Sequence, residues 1–135
     1  SLVGFTSLAG YSVIVGYEFD RAGRLERGIY VLDELHTEGN RYIDDFDDLK
    51  GLLTAKYGKP ISDYPNWKNE LFKNQRTSWG VALQLGHVTF GAMWETPTTA
   101  ITMILTGDNF EVTHGIIYRS KSPANEPTAR DTTGL

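Results

Sequence analysis

The side chains in this sequence that could do chemistry are present in kind but are not gathered by spacing. Asp44, Asp45, Asp47 and Asp48 crowd into two helical turns. Four carboxylates could hold Ca²⁺ if a flexible, glycine-containing turn wrapped their oxygens round the ion. On a helix they splay apart, and acids near its start favour the positive end of the dipole, so the run reads as a water-facing helix surface. His36, His87 and His114 share no metal-ligand spacing. His114 falls on the apolar side of a strand pattern and reads as a hydrogen-bonded core residue, not a general base. His87 reads as a strand start and His36 as part of an exposed loop. Ser62, Ser78 and Ser120 lack the glycine-flanked turn of a hydrolase nucleophile. Glu18 with Glu34, or Glu95 with Glu111, could meet across strands but reads best as part of solvated strand faces. No glycine-rich phosphate loop opens a helix. With no cysteine, thiol chemistry and thiolate metal sites are excluded. No catalytic residue, metal ligand or cofactor is assigned.

What remains are surfaces. Trp67, Trp79 and Trp94, with Tyr17, Tyr30, Tyr64 and Tyr118, supply aromatic area that could anchor a partner at small entropic cost. Thr102 and Thr113, with Thr89 and Thr106, fall where they could line a polar sheet face suited to docking. The candidate partner-binding residues are therefore Trp67, Trp79, Trp94, Thr102 and Thr113.

The elements that must position them follow from periodicity. Tyr11 to Phe19 alternates strongly and is rich in β-branched and aromatic residues, so it predicts a strand. Asp20 and Gly23 suit a tight turn, and Leu25 to Leu35 returns as the second strand of a hairpin. Ile29 and Val31 oppose Tyr30 and Leu32 there, so both faces of this strand are apolar. Asn40 can cap a helix from Arg41 to Tyr57, in which Tyr42, Phe46, Leu49, Leu53 and Tyr57 recur at helical spacing. Gly58 and Pro60 end it. Gly51 inside it would suit a close backbone approach. Pro65 could begin a short helical turn through Trp67 and Leu71, and Trp79 to Leu85 another. His87 to Glu95, Thr99 to Thr106 and Phe110 to Ser120 predict three more strands, the last two joined by a turn at Gly107-Asp108-Asn109.

The expected fold class is α+β: an antiparallel five-stranded sheet, order β-β-α-(α)-β-β-β, with helices packed on one face. Residues 1–120 form the expected single domain, and 121–135 a tail of linker-like composition. That tail is expected to dock on the body or on a neighbour through Leu135 or the stretch around Pro127. The net charge of −4, from 13 basic and 17 acidic residues, leaves no concentrated basic face for a nucleic-acid backbone. No apolar run is long enough for a transmembrane segment.

The stretches YEFDRAGRLERGIY, RYIDDFDDLKGLLTAKYGKP and AMWETPTTAITMILTGDNFEVTHGIIYRS resemble a group of small uncharacterised bacterial proteins, many of them expected to be exported. The shared marks are a helix ending in KYGKP, a Trp-centred strand and an I-x-Y-x-S strand, here Ile116, Tyr118 and Ser120. Members commonly carry an upstream segment resembling W-G-M-S-x-x-E-V. Its absence here, with Ser1 in first place, implies a removed native start. The resemblance implies a periplasmic or cell-envelope setting and no reaction. The expectation is a non-catalytic domain that binds another envelope protein or a peptide-like partner, through its sheet face or the groove beside the helix. The alternatives are an enzyme recruiting Glu95, His114 or the helix acids, and a structural protein that self-assembles through an edge strand or the tail.

Overall fold

Alternating β-branched and aromatic residues build most of this chain. The computed structural model describes residues 2–121. Its strands are β1 (Leu2–Leu8), β2 (Tyr11–Phe19), β3 (Leu25–Leu32), β4 (Ser62–Trp67), β5 (Val88–Glu95), β6 (Thr99–Asp108) and β7 (Glu111–Ser120). Helix α1 (Gly39–Tyr57) follows β3, and the short α2 (Trp79–Gln84) follows β4. All seven strands join one sheet in the order β1-β2-β3-β7-β6-β5-β4, with every neighbour antiparallel. Among the described residues no helix is long and apolar enough to cross a membrane.

The expected five-stranded α+β arrangement with helices packed on one face is corrected by this topology. The molecule is mostly a seven-stranded sheet, and its helices meet the sheet chiefly at β5, β6 and β7. Two strands escaped the sequence reading for different reasons. β1 (LVGFTSL) mixes glycine, serine and threonine into a short apolar run, and it pairs because Ala9 and Gly10, with φ of 52° and 86°, make a two-residue turn of the right twist for a hairpin. β4 contains Pro65, which read as a helix start. At a sheet edge proline's missing N–H can face solvent, so the ladder survives it. The last turn also moves: Asn109 and Phe110 take positive φ, 51° and 68°, and Asp108 pairs with Glu111. Phe110 is therefore an exposed turn residue rather than the first residue of β7.

The core lies on one face of the sheet. Phe46, Leu49 and Leu53 of α1 and Leu83 of α2 close over Val88, Phe90, Trp94, Ile101, Met103, Leu105 and Ile116. The helical stripe read from Tyr42, Phe46, Leu49 and Leu53 is the stripe that is buried. α1 ends as expected, where Gly58 adopts a φ of 92° and donates its N–H to the Thr54 carbonyl. Its start differs, because the Asn40 side chain does not cap α1. It accepts from the Gly80 N–H at 2.9 Å and donates to the Thr77 carbonyl at 2.8 Å, tying α1 to α2. The close backbone approach falls at Gly39 and Gly80, where a Cβ on either residue would collide with the other's backbone segment, whereas Gly51 faces open space. The expected docking of the tail at Pro127 or Leu135 lies outside the described residues.

Candidate functional site

The groove beside α1 exists because the helices stop short of half the sheet. On the helix side of β2, β3 and β7, the inward positions beyond α1 are Tyr17, Tyr30 and Tyr118. Gly28 lies between Tyr17 and Tyr118 on one rung of the ladder. Having no side chain, Gly28 leaves a hollow, and a Cβ there would touch the Tyr17 and Tyr30 rings at 3.6 and 3.7 Å. Tyr57, the last residue of α1, closes one side. The result is a groove of about 520 Å³ lined by these four tyrosines, with Leu8, Leu25, Lys56, Thr98, Thr99 and Ser120 among its walls.

The tyrosines hold one another. Tyr30 sits edge-to-face with Tyr118 at 5.4 Å and with Tyr17 at 6.4 Å between ring centroids, the geometry the ring quadrupoles favour. The Tyr17 and Tyr30 hydroxyls share a hydrogen bond at 3.3 Å. That bond, and then burial, push the Tyr30 phenol up to about 12. Burial, with the Tyr57 phenol beside it, pushes Tyr118 to about 12 as well. These groups stay protonated at neutral pH and act as neutral donors and apolar rings. The Lys56 ammonium lies 5.2 Å from the Tyr57 ring centroid, so the rim carries one cation near an aromatic face. Arg27, also on the rim, donates from Nη2 to both Glu18 carboxylate oxygens at 2.7 and 2.8 Å, and this contact holds the Glu18 carboxyl below its usual range.

The residues singled out from sequence are dispersed by the fold. Trp94 is 1% exposed and belongs to the core. Trp67 and Trp79 pack edge-to-face at 5.3 Å, and Trp79 donates its indole N–H to the Lys73 carbonyl beneath the Arg76 guanidinium, 4.8 Å from the ring. All three tryptophans lie on the helix side. Thr102 and Thr113 project from the opposite face. Thr113 pairs with Thr106, whose hydroxyl meets that of Thr89 at 3.3 Å, so a threonine rung forms there. Thr102 sits apart from it, between Met93 and Ile117. Of the aromatic residues noted from sequence, Tyr17, Tyr30 and Tyr118 converge. Tyr57, read only as a helix-stripe residue, joins them. The available signal was that β2, β3 and β7 place a tyrosine rather than an aliphatic residue at inward positions.

The helix acids and histidines have structural partners. Asp44, Asp47 and Asp48 are exposed, yet the Tyr11 hydroxyl donates to Asp48 at 2.7 Å, and burial, followed by that bond, raises the Tyr11 phenol. His36 is not an exposed loop residue: its Nε2 lies 2.6 Å from Asp45 Oδ2 and its ring packs on Tyr42. Among the described residues no group of acids, histidines or cysteines could hold a metal ion, and no serine or threonine hydroxyl bonds to the His36–Asp45 pair. His114 is buried against Phe46, as its strand position predicts, but the hydrogen bond expected of it is not found at Nε2. Burial pulls its pKa down to about 4. The groove can hold a ligand by rings, hydroxyls and the Lys56 cation, with the Glu26 carboxylate also in its wall. No family model, no curated protein and no solved structure matches this chain, so its functional reading rests on the geometry of that groove.

Proposed function

We propose that this chain is a non-catalytic binding domain of the cell envelope that takes an extended, apolar peptide segment of a partner protein into the tyrosine-lined groove beside α1. The observation behind this reading is the convergence of Tyr17, Tyr30, Tyr57 and Tyr118 round the hollow over Gly28. A volume of about 520 Å³ is within the ordinary range for ligand sites, which are mostly apolar with a few placed polar groups. Grooves walled by aromatic rings suit stiff extended segments, whose low conformational entropy lets modest contacts bind them. Thr98, Thr99 and Ser120 offer hydroxyls to a peptide backbone, and Lys56 favours an acidic residue at one end.

Panning a random linear peptide library against the chain tests this reading. The selected peptides should bind wild type and lose affinity about tenfold or more, roughly 1.4 kcal/mol, in Tyr118→Ala and in Gly28→Leu, which fills the hollow. Circular dichroism checks that each variant is folded. Peptides that bind folded Gly28→Leu as tightly as wild type would place the site elsewhere.

A further inference from the structure

The two edges of the sheet are not equivalent. β4 carries Pro65 and Asp63, and Asp63 is held by Lys50 at 3.2 Å; proline and charge are the usual guards against strand addition. β1 (LVGFTSL) has neither, and its register with β2 runs unbroken from Leu2 to Leu8. In an antiparallel ladder alternate residues turn their N–H and C=O groups away from the neighbour. Among the described residues β1 therefore presents a neutral edge with no strand paired on its outer side. On the face opposite the helices, Val3 and Phe5 are 76% and 77% exposed, and Phe5 continues into an apolar rung through Ile14 and Val31.

We propose that β1 pairs antiparallel with β1 of a second copy of this chain, with the two-fold axis at Phe5, joining two seven-stranded sheets into one. Self-pairing needs a strand that is complementary to itself, and antiparallel strands related by a two-fold axis meet that condition in backbone geometry. A charged residue on β1 would face its own copy or a near neighbour of like sign, and β1 has none. Phe5 is the midpoint of the strand. Centring there pairs Phe5 with Phe5 of the other copy and Val3 with its Ser7, and it keeps both apolar faces on one side. Cross-strand aromatic pairs of this kind stabilise a sheet. An edge of this length buries less than the roughly 800 Å² per partner of a standard interface, so association is expected to be reversible and dependent on concentration. The pairing is independent of the groove reading and is tested by different variants.

Sedimentation equilibrium over a concentration series gives the first test. Wild type should show a monomer–dimer equilibrium, and Phe5→Lys, which sets like charges face to face, should weaken it by about tenfold or more. Because Phe5 is mostly exposed, the variant monomer should keep the wild-type circular dichroism spectrum. The chain has no cysteine, so Phe5→Cys offers a second test: directly opposed residues are close enough for a disulfide, and mild oxidation should trap a dimer. Ser12→Cys, one strand inward, should not. A wild type that stays monomeric throughout, or a dimer that folded Phe5→Lys leaves intact, would overturn the proposal, including the case in which a strand from another protein occupies this edge.

Discussion

The two halves of the helix-side sheet face obey the same alternation and end differently. Over β5, β6 and the His114–Ile116 stretch of β7 the inward residues include Phe90, Trp94, Ile101, Met103, Leu105 and Ile116, sealed under α1 and α2. Over β2 and β3, Val13 and Val15 are also buried, but their neighbours are Tyr11, Tyr17 and Tyr30, only partly covered. Where a helix seals the sheet, apolar side chains fill the space, with His114 buried among them. Where it does not, rings with a hydroxyl tip can present one apolar body and one wet end. The uncovered half can therefore meet a ligand, while the covered half supplies the stability that keeps the uncovered half in place.

If that division is right, the largest losses come from the sealed half. Trp94→Ala or Phe46→Ala should cost about 3 to 5 kcal/mol in urea unfolding, and Leu53→Ala about 2 to 5, through the cavities left behind. Tyr17→Ala, at the open end, should cost clearly less. Equal losses would erase the distinction.

Acid should act through His114 in the sealed half. Burial lowers its pKa to about 4 from an ordinary 6.5, so between those values the unfolded chain binds a proton that the native chain refuses. Stability then falls as pH drops through that window, by about 3 kcal/mol for the full shift. Unfolding free energies at neutral and acid pH should show this loss in wild type. Much of it should be absent in His114→Leu, whereas an unchanged pH slope would contradict the assignment.

A smaller effect is expected where the helices meet. Gly39→Ala sets a Cβ against the Gly80 backbone and should cost about 1 to 3 kcal/mol, as overpacking does. Gly51→Ala, facing open space, should be neutral or stabilise the helix by up to about 1 kcal/mol. Thermal melts of the two variants make the comparison directly.

The smallest change belongs to the open half. Tyr30→Phe removes the bond to Tyr17 and should cost roughly 0.5 to 1.5 kcal/mol. In an alkaline absorbance titration, Tyr30 and Tyr118 should ionise near 12, above the ordinary value of about 10. Raised phenol values mean that the native chain holds these protons longer than the unfolded one, so stability drops as pH rises from about 10 toward 12. In Tyr30→Phe the late-titrating signal should shrink by one phenol, with Tyr118 and the raised Tyr11 phenol remaining.

Much of this was legible in local pattern. The limits of β2, the buried stripe of α1, the turn at Asp20 with its bonds to Ala22 and Arg24, and the stop at Gly58 are all properties of neighbours in sequence. β1 and β4 were not legible, because a neutral seven-residue run and a proline-bearing segment become strands only when a partner strand supplies the ladder. The convergence of Tyr17, Tyr30, Tyr57 and Tyr118 was not legible either, since they come from three strands and a helix end, and only the register over Gly28 brings them to one hollow. His36 and Asn40 likewise found partners at Asp45 and Gly80 that no spacing announces.

By itself, the sequence determined periodicity, turn chemistry, the absence of thiol chemistry and the inward rank of the apolar residues, because these depend on short-range sterics and on which side chains avoid water. Tertiary structure alone decided the strand order, the reach of the helices across the sheet, the place of β1 at the edge of the described strands and the tyrosine groove. These depend on contacts between residues far apart in the chain, whose free energies are set by the packing of the whole sheet.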